Sequence, residues 1–138
     1  MTTINMQTMR YINLLDSASH VKTRKCFVYN NIIFFAVPRK FMSRAIGPDA
    51  SNIRRIQEKL GKKVRIIEEV EDSRDAKEFV EDIVNPVKFR SFEVDGTEAT
   101  ITAGNNQSKA ILIGRNRRRF DELKQIINDI FGLDLKIV

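Results

Sequence analysis

The fold is decided by Ile46-Gly47-Pro48-Asp49-Ala50-Ser51-Asn52-Ile53, whose pattern returns in Ile113-Gly114-Arg115-Asn116-Arg117-Arg118-Arg119-Phe120. In both stretches an apolar helical run ends in Ile-Gly, a three-residue break follows, and an amphipathic helix begins among positive charges. A helix–loop–helix unit with basic flanks can receive a phosphodiester backbone. Because the unit occurs twice, with 67 residues from Gly47 to Gly114, the sequence predicts a tandem nucleic-acid-binding protein.

The elements around the first copy follow from hydrophobic periodicity and turn residues. Asn30-Asn31 tolerates the positive φ of a two-residue hairpin turn, and Gly61 suits a helix C-cap. The predicted elements are a helix from Thr2 to Ala18, strands at 24–29 and 32–37, helices at 41–46 and 53–60, and a strand at 64–67.

The second copy repeats this order. Asn85-Pro86 ends its first helix, Asp95-Gly96 is expected to form a hairpin turn, and Gly132 caps the last helix. The predicted elements are a helix at 76–84, a strand that begins at Val87, a return strand at 99–103, helices at 108–113 and 120–130, and a strand at 133–138.

A duplicated α-β-β-α-α-β order predicts two domains, because each copy has a helix-backed sheet that can bury its own core. We therefore expect an α+β fold with domains at 1–70 and 71–138, each a three-stranded sheet with helices packed on one face. The acidic segment 68–73 is expected to be a hinge. The apolar residues at the two helix–loop–helix units, Ile46, Ile53, Phe120 and Leu123, are assigned to the core or to the floor of a groove.

The charge is unevenly distributed along the 138 residues. The net charge is +6, yet residues 1–70 hold 13 Lys/Arg against 5 Asp/Glu, while residues 71–138 hold 11 against 13. The first half is therefore a candidate polyanion binder through its overall field. The second half binds anions only where its cations cluster, as they do from Arg115 to Arg119.

Several classes of function are excluded by the composition. Cys26 and His20 are the only residues of their types, so they cannot build a zinc site, an intrachain disulfide or a nucleophile–base pair. We expect no enzyme, no metal, no cofactor and no small-molecule substrate. The longest apolar run, 32–37, is too short to span a membrane. Residues 1–6 lack the charged and then apolar arrangement of a signal peptide. A cytoplasmic location without membrane contact is expected.

At these residues the chain resembles tandem type II KH domains, and most closely the archaeal NusA-like transcription factors. The likeness covers essentially the full length. It rests on the Cys26–Phe34 hairpin, on Ala45-Ile46-Gly47 leading to Asn52-Ile53, on the run Leu60–Ile66, and on Asn85-Pro86 at the domain junction.

The resemblance implies single-stranded RNA as the ligand. In this family, RNA lies in a groove between the two central helices, their connecting Gly-x-x-Gly loop and a neighbouring strand, and the loop clamps about four nucleotides of backbone. Carried onto this sequence, the RNA-binding residues are Arg44, Gly47, Ser51, Asn52, Arg54, Arg55, Lys109, Gly114, Arg115, Asn116, Arg117, Arg118 and Arg119.

Both loops depart from the family pattern at the second glycine, which is Ala50 in one and Arg117 in the other. In the first loop Pro48 removes an N–H donor and Asp49 places a negative charge where phosphate should lie, so this loop is expected to be a poor clamp. The second loop is expected to bind phosphate by charge, with a steep salt dependence.

The resemblance implies a transcription elongation, termination or antitermination factor that holds RNA across two KH modules, with RNA polymerase as a further partner. Two alternatives stay open at this point. The chain could be an interaction module that docks on RNA polymerase with weak RNA contact, or a KH protein of ribosome assembly.

Overall fold

The computed structural model describes residues 6–138, which divide into two compact units, one ending at Val70 and the other running from Glu71 to Val138. Each unit contains one three-stranded sheet and three α-helices. The expected α+β architecture with a repeated α-β-β-α-α-β order is therefore confirmed. The start of the first helix, predicted at Thr2, lies outside the described residues.

The first unit follows the predicted order closely. Its elements are α1 (Met6–Ser19), β1 (Lys25–Tyr29), β2 (Ile32–Val37), α2 (Met42–Ile46), α3 (Ser51–Leu60) and β3 (Lys63–Glu68). Strands β1 and β2 are antiparallel, whereas β2 and β3 are parallel. The hairpin turns at Asn30 and Asn31, whose φ values of 52° and 63° are of the kind that asparagine tolerates.

The core of the first unit lies between its three helices and one face of its sheet. Alternate strand residues enter this core, as a period of two requires: Ile33, Phe35 and Val37 are fully buried there. The helices contribute buried Tyr11, Leu15, Ala45 and Ile56. Ile46 and Ile53, assigned to the core or the groove floor, are half-buried and pack against this cluster.

The second unit repeats the arrangement with a longer last helix. Its elements are α4 (Ala76–Val84), β4 (Ser91–Asp95), β5 (Glu98–Thr102), α5 (Asn106–Ile113), α6 (Arg118–Phe131) and β6 (Asp134–Ile137). Strand β5 pairs antiparallel with β4 and parallel with β6. Phe79 and Leu123 are among its buried residues, Phe120 is 8% exposed, and the rings of Phe79 and Phe131 pack edge to face.

Several sequence predictions differ from the structure at element ends, and four of these differences bear on the turns and on the hinge. Strand β4 begins at Ser91 rather than Val87, since the Val87 amide bonds to the Val84 carbonyl in a turn that follows α4. The hairpin turns at Gly96-Thr97, one residue later than predicted. Helix α5 begins at Asn106, because the Asn105 side chain accepts a hydrogen bond from the Ser108 amide at 2.7 Å and caps it. Finally, Glu68 belongs to β3 rather than to the acidic hinge.

The acidic segment that follows β3 has a local structural role. Asp72 accepts hydrogen bonds from the amide and the guanidinium of Arg74, and these bonds lower the pKa of its carboxyl group. The aspartate thereby starts the short turn Ser73–Asp75 that leads into α4. Among the described residues, no helix is both long and apolar enough to cross a membrane.

Candidate nucleic-acid interface

The two helix–loop–helix units share one backbone conformation. Gly47 has φ/ψ of 80°/165° and Gly114 has 76°/173°, and in both loops the third and fourth residues are left-handed. The hydrogen bonds also match. The Ala50 amide bonds to the Gly47 carbonyl at 3.1 Å, and the Arg117 amide bonds to the Gly114 carbonyl at 3.2 Å. The repeat seen in the sequence is therefore a repeat in three dimensions.

Both loops require their first glycine. The φ/ψ values of Gly47 and Gly114 lie in a region that is essentially restricted to glycine. A Cβ atom at Gly47 would lie 2.7 Å from the Ser51 Oγ, and one at Gly114 would lie 2.6 Å from the Arg119 Cγ. Each glycine ends one helix. Because it has no side chain, the first residues of the next helix can pack against its backbone.

The amide donors available to a phosphate are those of the first helical turn. The amide of the fourth loop residue is used inside each loop, as described above. The N-cap residues of α3 and α6, Ala50 and Arg117, accept no hydrogen bond from the first helical turn through their side chains. Uncapped amides at a helix N-terminus, aligned with the helix dipole, favour an anion.

The first loop brings a mixed set of charges together. Arg44, Arg54 and Arg55 are exposed, and so is Asp49 at the loop tip. The Arg44 guanidinium lies over the Phe41 ring, 4.9 Å from its centre. This loop therefore presents a carboxylate at its tip and cations on either side.

Two predicted RNA-binding residues beside the first loop support the fold locally. The Asn52 amide group donates a hydrogen bond to the Arg44 carbonyl at 3.0 Å, which ties the start of α3 to the last turn of α2. Ser51 is half-buried, and its Oγ lies where a side chain at Gly47 would fall.

The second loop concentrates positive charge at its tip. Arg115, Asn116, Arg117 and Arg118 are all exposed. The Arg117 guanidinium lies 4.9 Å from the centre of the Phe120 ring, which orients this side chain along the start of α6. These four residues form the cationic tip of the second unit.

Arg119 and Lys109 are placed differently from the cationic tip. The Arg119 side chain is only 18% exposed, packs over Gly114, and forms an ion pair with Glu122 at 3.2 Å. Its charge is therefore already balanced within the helix. Lys109 is half-buried within α5, away from the loop in sequence.

A groove of about 420 Å³ adjoins the cationic tip. It is lined by Ile113, Arg117, Phe120, Lys136, Ile137 and Val138, so it lies between the two helices, their loop and strand β6. Sequence reasoning did not select Lys136, although its place opposite the buried Leu135 in an alternating strand marks it as exposed. Its Nζ lies 3.4 Å from the Glu98 carboxylate, a pair that water screens strongly.

Metal binding and thiol chemistry are two other properties that the described residues allow to be assessed. Within residues 6–138, no group of three or more histidine, cysteine, aspartate or glutamate residues could hold a metal ion. Cys26 packs against the first core, and burial raises the pKa of its thiol to about 12. The thiol therefore stays protonated near neutral pH and is a poor nucleophile.

The comparison with known families agrees with this geometry. The sequence model of the KH domain matches residues 32–105, which is more than half of the chain. The matched region contains the Gly47 loop and ends before the Gly114 loop. The chain belongs to the KH-domain family, a class of RNA-binding modules.

Two likenesses extend over nearly the whole chain. A protein of Halococcus morrhuae named "Probable transcription termination protein NusA" is 22% identical over 134 residues, which are 96% of this chain and 94% of that protein. The solved structure titled "Crystal structure of APE1850" has a TM-score of 0.68 and 25% identity, and the match covers 98% of this chain and 100% of that one. The predicted resemblance to the archaeal NusA-like proteins is confirmed.

Proposed function

We propose that this protein is a non-enzymatic, cytoplasmic transcription factor of NusA type that binds single-stranded RNA through its KH units. The observation that carries the proposal is the second helix–loop–helix unit. There the first-turn amides of α6, the cationic tip and the groove beside β6 lie together. This combination provides phosphate contacts next to an apolar surface for bases.

The two units are proposed to contribute unequally. The second loop carries two arginines within its three-residue break, whereas the first carries Pro48 and Asp49. We expect the second unit to hold RNA more tightly and the first to add a weaker contact. Because only a short segment joins the units, the weaker contact forms at a high effective concentration once the stronger one is made.

The transcription role is supported by the full-length likeness to a protein named as a probable transcription termination protein. Elongation, termination and antitermination all require contact with RNA during its synthesis, so each fits the proposed site. RNA polymerase is the further partner that this role implies.

The experiment is a fluorescence anisotropy titration of the full chain with a labelled single-stranded RNA of about eight nucleotides, the length that two KH units cover. It is run at about 50 mM and about 200 mM salt, the range over which binding to phosphates weakens steeply. The test variant is Arg115→Glu/Arg117→Glu/Arg118→Glu. The matched control, Lys22→Glu/Lys77→Glu/Lys88→Glu, changes the net charge equally at exposed positions outside both helix–loop–helix units.

The loop variant should weaken binding at low salt by about tenfold or more and flatten the salt dependence. The RNA affinity of the control should stay within about threefold of that of the unaltered chain, since the control changes only the long-range electrostatic field. Equal losses in the two variants would contradict the assignment of the cationic tip as the RNA site.

Asp49 favours the second candidate function, a module that docks on RNA polymerase with only weak RNA contact. The residue is exposed at the tip of the first loop, where it repels phosphate. If the unaltered chain bound no single-stranded RNA at about 50 mM salt, where phosphate binding is strongest, this candidate would replace the first.

A further inference from the structure

The exposed side of helix α3 and the residues just after it carry a second group of cations in the first unit. Its five cations are Arg54, Arg55, Lys59, Lys62 and Lys63, and Glu58 is the one acidic residue among them. All are exposed except Lys62, which is half-buried. We call these five residues the α3 basic face.

The α3 basic face has no ionic partner within the described part of the chain. None of the five side chains lies within 4.0 Å of a carboxylate there, although Glu58 is one helical turn from Arg54. Arg55 and Lys59 are like charges four residues apart, an arrangement that destabilises a helix. The face is therefore not explained by a contribution to folding.

The corresponding helix of the second unit has the opposite charge pattern. Counted from the two loop glycines, Arg54 and Arg55 occupy the places of Asp121 and Glu122 in α6. In the first unit, the acidic residue is at the loop tip and the cations are in α3. In the second unit, the cations are at the loop tip and the acidic residues are in the first turns of α6. The two units present positive charge at different places on the same scaffold.

We infer that the α3 basic face binds the phosphate backbone of base-paired RNA. The helix is about 15 Å long, Arg55 and Lys59 lie one turn apart on it, and Lys62 and Lys63 follow its end, so the cations can contact successive phosphates. The face contains no aromatic side chain, so it offers no aromatic platform on which an unpaired base could stack. RNA whose bases are already paired is read mainly through its backbone and shape, which this surface suits.

The inference extends the proposed function from the first loop along α3 and the residues after it, and rests on the chain being an RNA-binding protein. In this arrangement, the cationic tip of the second unit holds single-stranded RNA, and the α3 basic face holds a neighbouring stem. The ligand that the whole protein fits best is then an RNA that contains both a stem and an unpaired stretch.

The test uses the full chain and two labelled RNAs, a blunt duplex of about 16 base pairs and a single strand of about eight nucleotides. The variant Lys59→Glu/Lys62→Glu/Lys63→Glu is compared with Lys22→Glu/Lys77→Glu/Lys88→Glu, which has the same net charge. A neutralised variant, Lys59→Gln/Lys62→Gln/Lys63→Gln, serves if the reversed one does not fold, and circular dichroism establishes folding for each.

The α3 variant should bind the duplex about tenfold or more weakly. The slope of log K against log salt should fall by about one for each phosphate that the protein no longer neutralises. Binding of the single strand by this variant should stay within about threefold, and the matched control should stay within about threefold for both RNAs. The neutralised variant should show a smaller loss in the same direction.

Three outcomes would overturn the inference. In the first, the control weakens duplex binding as much as the α3 variant does. In the second, the α3 variant loses single-strand and duplex binding equally, which would make the face part of the single-strand path. In the third, the unaltered chain binds no duplex; a parallel titration with polyglutamate then shows whether the surface suits an acidic protein instead. Failure of the proposed function gives a different result: the unaltered chain then binds the duplex but not the single strand.

Discussion

Ala50 and Arg117 occupy the same point in two loops and share one left-handed backbone conformation, with φ/ψ of 58°/30° and 60°/20°. Neither residue is a glycine, and the two side chains have nothing in common. The shared conformation must therefore come from what precedes and follows these residues. The loop glycine, its carbonyl and the start of the next helix are the common parts.

Replacing either residue by glycine separates the energetic cost of the left-handed backbone from the contribution of the side chain. An L-residue in the left-handed region costs about 1–2 kcal/mol, and the entropy of glycine offsets part of this. Ala50→Gly should therefore stabilise the protein by about 0.5–1 kcal/mol. Arg117→Gly should gain less, because it removes the interaction with Phe120, which is worth about 0.5 kcal/mol at an exposed site. Urea unfolding measures both changes.

RNA binding should respond to the same two variants differently. Arg117→Gly removes a cation from the proposed RNA site and should weaken single-strand binding by about threefold or more. Ala50→Gly leaves the charges unchanged and should bind at least as well as the unaltered chain. If the two variants had equal RNA affinities, Arg117 would have no direct part in binding.

The loop glycines themselves should tolerate no side chain. Gly47→Ala and Gly114→Ala each force an L-residue into a glycine-only region, with a Cβ contact shorter than 3.0 Å, and should cost about 1–3 kcal/mol. Gly61→Ala is the matched control, because Gly61 has a φ of 64° but no atom within 4 Å of its Cβ position. It should cost about 1 kcal/mol. A larger loss at Gly61 than at Gly47 would contradict the close approach described for the loops.

Asp49→Asn should make the charge of the first loop more similar to that of the second. Asn116 stands at the corresponding place, and both positions are left-handed, with φ of 53° and 56°. Removing the carboxylate removes a repulsion of about 1 kcal/mol on a phosphate at contact distance, so single-strand affinity should rise by about fivefold at low salt. The gain should shrink as salt is added. An unchanged affinity at every salt concentration would place the first loop outside the RNA path.

Cys26 should be protected and should make stability depend on alkaline pH. Burial raises the pKa of its thiol from 9.0 to about 12, so the folded chain should react slowly with a thiol reagent at pH 8 and the urea-unfolded chain quickly. Since Cys26 is the only cysteine, the label reports on this site alone. The folded state keeps a proton that the unfolded state releases above pH 9, so stability should fall as pH rises from about 9 to about 12. Fast labelling of the folded chain would contradict the burial.

The elements set by local chemistry could be predicted from the sequence. Asn30-Asn31 indicated the first hairpin, and Gly47 and Gly114 indicated the ends of α2 and α5, because each requires a conformation that few residues adopt. Strand β4 was predicted too long because alternation alone cannot distinguish a strand from an extended connection. Val87 continues the pattern but bonds back to Val84.

The placement of individual cations could not be predicted in the same way. A count of arginines treats Arg118 and Arg119 alike, although one is exposed and the other is packed over Gly114 and paired with Glu122. The spacing of Arg119 and Glu122 by three residues was the available signal. Lys136 was missed because the groove that it lines is formed by elements distant in the sequence.

The hydrogen bonds that shape each loop run between main-chain atoms, from residue 50 to Gly47 and from residue 117 to Gly114. Three consecutive side chains can consequently be exchanged without redesigning the turn that displays them. Replacing Pro48-Asp49-Ala50 by the sequence of Arg115-Asn116-Arg117 would give a protein whose two loops present the same side chains. The same independence allows the charge that the loop presents to change while its backbone stays constant.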